Sequence, residues 1–317
     1  MVALCTLQVG ERGGGRSSGL TGMVERVRKQ RSPDLRRPLP GPLDYLDLLL
    51  LRAAKLRRTK YNDPDDFYET FFTDGDVAKY LRDIRTIWRY GLMRRVYDEL
   101  FGPRPARVAD IGCGFGISRL FLPETTSFVG VEISAKTLEF ARTVHNSKTA
   151  DFQQGGFPRL PLEEDSYDFV LCLEVLEHLR DDKQAIGELN RIVKPGCFLF
   201  FSVPSTFFWS DYTRLIGHHR HYTAASVERL LREGGFEVTR QFSRFGQVWR
   251  GYYYAYLLFR VGEMLRRKLG DSDYTMYDSR LYGALAKHMR RYLYGANRDD
   301  DATSTFVLAQ KVATSAR

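Results

Sequence analysis

Two short stretches of this chain carry residue types at spacings that chemistry can use. The first is Val108–Gly116, VADIGCGFG, in which an apolar run and Asp110 lead into Gly112, Gly114 and Gly116 at alternate positions. Glycines at the end of a strand let the backbone approach a ligand closely. Glu132 follows 20 residues after Gly112, where an acid accepts hydrogen bonds from ribose hydroxyls. A nucleoside-containing cofactor is therefore expected at this loop. A dinucleotide loop would need glycine at 117, where the residue is Ile117, and a P-loop would need a following Lys-Ser/Thr pair. Asp110 would repel a pyrophosphate and suits a cationic amino-acid group instead.

The second stretch is Leu173–Leu179, LEVLEHL, with Glu174, Glu177 and His178. Imidazole has an ordinary pKa near neutrality, which makes His178 a candidate general base with the two carboxylates beside it. The plainer alternative for all three is positioning and packing. Carboxylates and imidazole are also ligands for a divalent metal. A further ligand could come from GHHRHYT, 217–223, which holds His218, His219 and His221, so that four of the six histidines fall in these two segments.

These residues need elements to hold them. Apolar runs at 107–111, 127–131, 167–172 and 197–203 read as strands, and 134–145 and 181–193 as the helices between them. Ser134 is a plausible N-cap, and Lys194-Pro195-Gly196 reads as a type II turn. Such alternation predicts a parallel sheet covered on both faces. Beyond it, 223–234 reads as a helix, 236–242 as a strand, 247–296 as a long helical region and 304–312 as a closing strand that pairs antiparallel. Ahead of the core, Val77, Leu81, Ile84, Trp88, Leu92 and Val96 form one apolar stripe of a helix near 77–100. The expected division is 1–42, a disordered basic segment; 43–104, N-terminal helices; 105–246, the core; 247–303, a helical insertion; and 304–317, the last core strand and tail.

Taken as a set, VADIGCGFG, VGVEIS (129–134), SYDFVLCLEVLEHL (166–179) and RIVKPGCFLFFSVP (191–204) resemble the class I S-adenosylmethionine-dependent methyltransferases. The likeness is to the type 11 branch and the quinone-biosynthesis methyltransferases, over about residues 105–240 plus the closing strand. It implies an α/β, Rossmann-like seven-stranded sheet, mostly parallel with an antiparallel last strand, and S-adenosyl-L-methionine as cofactor. By motif, Asp110, Gly112, Cys113 and Gly114 would face the methionine part, Glu132 the ribose and Ile133 the adenine. Leu173 is also counted among the cofactor-binding residues. Many relatives place an acid before the fourth strand for the adenine amino group. Here Gly156 stands there, and the Phe157 backbone or a neighbour would substitute. The Glu-x-x-Glu-His spacing also resembles the metal-binding segment of quinone O-methyltransferases and small-RNA 2′-O-methyltransferases.

The formal charge of +9 is unevenly placed: residues 1–60 hold 13 Lys/Arg against 5 Asp/Glu, and residues 241–317 hold 13 against 7. Basic ends around an acidic middle suit an anionic surface or solvated tails. The 247–296 region sets Trp249, Tyr252, Tyr253, Tyr256, Leu257 and Phe259 before Arg266, Arg267 and Lys268. Tyr277, Leu281, Leu285, Met289 and Leu293 follow at helical spacing. Three roles fit such faces: packing on the core, a lid over a hydrophobic acceptor, and a membrane-surface helix. Cys5, Cys113, Cys172 and Cys197 show no zinc spacing, which suits a reduced compartment. No apolar run approaches the ~20 residues that span a bilayer, and the N-terminus lacks a signal-peptide core, with Met23 an alternative start. The expectation is a cytoplasmic enzyme, associated peripherally with membrane, that O-methylates a small or lipid-linked acceptor. Nucleic acid is not the expected partner, since no RNA-binding module is present. The alternatives are a metal-assisted RNA 2′-O-methyltransferase and a non-catalytic cofactor-binding scaffold.

Overall fold

The computed structural model describes residues 83–145, 147–205, 217–244, 247–271, 274–293 and 304–313. The expectations for residues 1–82, among them Val77 and Leu81, lie outside them. The first described element is helix α1, Ile84–Phe101. Strands β1 (Arg107–Ile111), β2 (Ser127–Glu132), β3 (Ala150–Gln154) and β4 (Tyr167–Leu173) follow, with α2 (Ala135–Val144) between β2 and β3. Then come α3 (Asp182–Ile192), β5 (Val193–Pro204), α4 (Ala224–Glu233) and β6 (Phe236–Arg244). The insertion contributes α5 (Gln247–Lys268) and α6 (Arg280–Leu293) before the last strand, β7 (Ser304–Lys311). All seven strands form one sheet in the order β3-β2-β1-β4-β5-β7-β6, with β7 antiparallel to both neighbours and the other pairs parallel.

Side chains alternate across each strand, which splits the core in two. Val108, Phe128, Phe169, Leu171, Phe200, Phe306 and Leu308 face one side with Trp88 and Val96 of α1 and Leu138 of α2. Ala109, Ile111, Val170, Cys172, Leu199, Phe201 and Val307 face the other, under Ile186 and Leu189 of α3 and Leu231 of α4. The stripe expected on α1 is buried at Trp88, Leu92 and Val96. It is pinned by a T-shaped Trp88–Phe306 contact at 4.8 Å and a Tyr97–Thr126 hydroxyl hydrogen bond of 3.0 Å.

Caps fix where helices begin. Ser134 Oγ accepts from Thr137 N at the start of α2, and Thr223 and Ser226 form a reciprocal box at the start of α4. One local boundary is corrected. Lys194-Pro195-Gly196 lies within β5 and not ahead of it, with Gly196 at the positive φ that a type II turn places after its proline. β5 already pairs at Val193 with Tyr167, and the chain bulges before the register resumes at Phe198 with Phe169. Gly196 carries the bulge at φ 75°. The helical region expected at 247–296 consists of two helices, the first ending at Lys268 and the second starting at Arg280.

Within that insertion, packing on the core accounts for the aromatic face as far as the described side chains show it. Tyr252 and Tyr282 are buried and share a 2.9 Å hydroxyl hydrogen bond, while Tyr256, Phe259, Tyr277 and Leu285 pack against the same cluster as α1. The side chains of Trp249, Tyr253, Leu257, Met289 and Leu293 lie outside the described residues. Among the described residues, no helix is long and apolar enough to cross a membrane.

Candidate active site

The carboxyl ends of β1, β2 and β4 meet at the centre of the sheet, and the residues picked out by motif are gathered there. Gly112, Gly114 and Gly116 all have positive φ, at 71°, 52° and 69°, so the loop is a run of left-handed turns that L side chains adopt at a cost. Gly112 N and Cys113 N donate to Val131 O at 2.8 and 3.1 Å. Gly114 N donates to Glu132 Oε2 at 3.0 Å, while Ile133 N and Ser134 N donate to Glu132 Oε1. Glu132 is thus locked under the loop by three backbone donors, yet burial still holds its carboxyl above the usual range.

The loop does not open a long helix. Only a five-residue 3-10 turn, Ile117–Phe121, follows, so the dipole of an extended helix, which favours phosphate, is lacking here. Asp110 is buried, hydrogen-bonded by Ser118 Oγ, and raised to about 7 by burial with Glu132 adding to the rise. A cation placed beside it would reverse that shift. The fit to a sulfonium amino-acid cofactor rests on three further features. A Cβ placed on Gly114 would meet no atom within 4 Å, leaving room above the loop. Ile133 is exposed at the end of β2, and a Cβ placed on Gly156 would stand 3.8 Å from its side chain. Together they make an apolar edge at the end of β2.

Three members of the predicted set contribute differently. The Cys113 thiol turns into the core beneath the loop, where a Cβ on Gly130 would meet its Sγ at 2.8 Å. Leu173 is buried at the end of β4, and Phe157 packs against the α3 side of the core.

Immediately after β4, Glu174 takes φ 59°, an uncommon conformation for a residue with a side chain. Its N–H donates to Ser202 O, its Oε1 accepts from Ser202 Oγ at 2.9 Å, and Arg89 of α1 stands 3.9 Å from Oε2. Glu177 follows on the Leu176–His178 3-10 turn, 1% exposed, with Oε2 buried and without a hydrogen-bond partner. Burial and the neighbouring Glu174 push its carboxyl well above the usual range. His178 Nε2 lies 4.0 Å from Glu177 Oε1. Burial, with His219 nearby, pulls His178 down to about 4, so the near-neutral value expected for it is not what its surroundings give.

The histidine segment is strapped onto this turn: His219 N donates to Glu177 O at 2.7 Å, and Tyr222 N to Pro204 O at 3.0 Å. One ligand atom from each of Glu177, His178 and His218 lies within 4.8 Å of the others. Of the other residues considered for a metal, Glu174 is engaged by Ser202 and Arg89, His219 is exposed, and His221 stands behind His218. His221 Nδ1 faces Ser205 O at 2.9 Å. A carbonyl only accepts, so that nitrogen carries the proton. His221 Nε2 then accepts from His218 Nδ1 at 2.7 Å. His218 Nε2 is left as the basic atom of its ring. The orphaned Glu177 oxygen and two neutral imidazoles fit a divalent cation by donor type.

Sequence reasoning missed Ser118, Ser202, Ser205, Arg89 and Tyr90. The serines carry no motif and become visible only when strands align, as in the Leu173–Ser202 register. Arg89 and Tyr90 lie beside the apolar stripe of α1. Tyr90 is partly buried near Asp110, and desolvation together with that carboxylate raises its phenol far above the ordinary value.

Residues 109–201 match the family described as methyltransferase domain. The chain is 32% identical over 118 residues to the ubiquinone biosynthesis O-methyltransferase of Idiomarina loihiensis, covering 36% of this chain and 47% of that protein. It spans about half the length of the curated relatives it matches. A candidate sarcosine dimethylglycine methyltransferase from Galdieria sulphuraria superposes with a TM-score of 0.52 at 19% identity, over 72% of this chain and 86% of that one. The [4+2]-cyclase SpnF superposes at 0.51 with 18% identity, over 70% and 80%. These structural likenesses show the fold, and the cyclase among them shows that the fold alone does not fix the reaction.

Proposed function

The chain carries a methyltransferase domain with the class I, S-adenosylmethionine-dependent fold, and on that premise we propose that it transfers a methyl group to an oxygen of a small or lipid-linked acceptor. The observation that carries this is the placing of the Glu174–Glu177–His178 turn at the end of β4, next to the glycine loop at the end of β1. When bound, the cofactor supplies a methyl group on a sulfonium whose sulfur leaves neutral, so the protein has chiefly to align the partners and receive the acceptor's proton.

Asp110, held by Ser118, gives the counter-charge for the cofactor's cationic end, and Glu132 offers its remaining lone pairs to ribose hydroxyls. Ile133 and Gly156 form the edge for the adenine. On the acceptor side, burial moves two neighbouring groups in opposite directions: the Glu177 carboxyl is pushed up, with Glu174 adding to the rise, and His178 is pulled down to about 4. Glu177, with one carboxyl oxygen unpartnered and His178 4.0 Å away, is the group assigned to take the acceptor's proton. Glu174 is oriented by Ser202 and Arg89 toward the same end of the sheet. The same turn suits a divalent cation held by Glu177, His178 and His218, which would supply Lewis-acid polarisation of an acceptor hydroxyl. The likeness to a quinone-pathway O-methyltransferase supports oxygen as the acceptor atom.

The test is methyl-labelled cofactor incubated with the protein and extracts of phenolic metabolites and of lipids. Label recovered on an oxygen of an extractable acceptor, and lost in Glu177→Gln, is expected. Label on nitrogen, or none with cofactor bound, would overturn the assignment.

A further inference from the structure

Of the seven large apolar side chains that are exposed among the described residues, four lie in the insertion: Leu258 at 62%, Leu265 at 52%, Leu269 at 88% and Leu281 at 69%. The first three have a common direction. At 3.6 residues per turn, Leu258, Leu265 and Leu269 fall within about 40° of one line along α5. Leu269 N donates to Leu265 O, so the helical path continues to it. Tyr252, Phe259 and Glu263, which face inward, sit about 120° away round the same helix. Helix α5 therefore has two apolar faces, one packed on the core and one turned outward. A soluble surface helix needs only the first.

Charge sets the kind of partner. Residues 247–293 contain nine Lys/Arg against four Asp/Glu, and one of those acids, Glu263, is buried and paired with Arg267 at 3.1 Å. Lys268, Arg280 and Lys287 are exposed, and Arg266 stacks on Tyr274 with its guanidinium 4.4 Å from the ring centroid. Leucines in a line with basic residues at the helix end are complementary to an anionic bilayer: acyl chains for the leucines, phosphates for the cations. We propose that the outward face of α5 seats on an anionic lipid surface, with Leu258, Leu265 and Leu269 entering the headgroup layer and Lys268 and Arg280 at its phosphates. The attachment is peripheral and stands independently of which acceptor is methylated.

The basic segment 1–60 could also draw the chain to anionic lipid, so the decisive variant leaves it untouched. The chain and its Leu258→Ser/Leu265→Ser/Leu269→Ser variant are sedimented with phosphatidylcholine vesicles with and without phosphatidylglycerol. Wild type should partition onto the anionic vesicles and leave them as salt rises, and the triple variant should lose at least about tenfold in partition. The leucines are already exposed, so the variant should keep its melting temperature and its cofactor affinity. Lys268→Glu/Arg280→Glu serves as a second variant with the leucines intact and should weaken anionic binding alone. Equal partition of the leucine variant and wild type would overturn the proposal, as would wild type that ignores anionic vesicles. A wild-type dimer that the leucine variant dissociates, without vesicle binding, would assign the face to a second copy instead.

Discussion

Asp110 concentrates the chemistry of the cofactor side. Burial raises it to about 7, so the folded apo protein binds a proton here that the unfolded chain, with its lower pKa, releases. By that sign, the group costs stability as pH rises from about 4 to 7, on the order of a few kcal/mol at neutrality. Asp110→Asn should therefore raise the apo melting temperature at neutral pH and abolish cofactor affinity, a pairing that melts and titration calorimetry read together. Wild-type affinity for the cationic cofactor should fall as pH drops below about 7, toward tenfold per unit, and a flat profile from pH 8 to 5.5 would contradict the counter-charge role. On the other side of the site, Ser205 and His221 fix the ring of His218. Nitrogen-15 spectra should show His218 protonated at Nδ1, with the preference lost in His221→Phe. An Nε2-protonated His218 in wild type would refute the chain of donors. Asp110, Glu132, Glu177 and His178 were legible from residue type and spacing. Their pKa directions were not, because burial, which pushes Glu177 up and pulls His178 down, belongs to the folded environment.

Among the elements, the glycine loop offers a separation of fold from function within five residues. A Cβ on Gly116 would lie 2.7 Å from the Phe152 ring, whereas one on Gly114 meets open space. Gly116→Ala should cost on the order of 2 kcal/mol or more in stability through overpacking and left-handed strain. Gly114→Ala should cost only about 1 kcal/mol yet weaken cofactor binding severalfold. Similar melting temperatures for the two variants would show that the loop is not packed as described. Strand and helix positions were largely legible, because apolar periodicity and caps such as Ser134 act locally. The bulge at Gly196 was not legible, since a strand's register answers to partners far away in sequence. Helix α1 was read for its stripe, and its contribution of Arg89 and Tyr90 to the site came only from how it lies across the sheet.

At the scale of the molecule, the net charge follows the division of labour. The acidic middle contains β1 to β5 and the site, while the ends carry the cations. The described aromatics of the insertion bind it to the core, while Leu258, Leu265, Leu269 and Leu281, with Lys268, Arg280 and Lys287, face outward. The central claim remains that the ends of β1 and β2 hold a sulfonium nucleoside. Titration calorimetry of the purified chain with S-adenosylmethionine and its demethylated product tests it most directly. Saturable one-site binding by wild type, reduced at least about tenfold by Glu132→Ala and abolished by Gly112→Arg, is the predicted result. No heat of binding from folded wild type, or equal affinity in both variants, would contradict it.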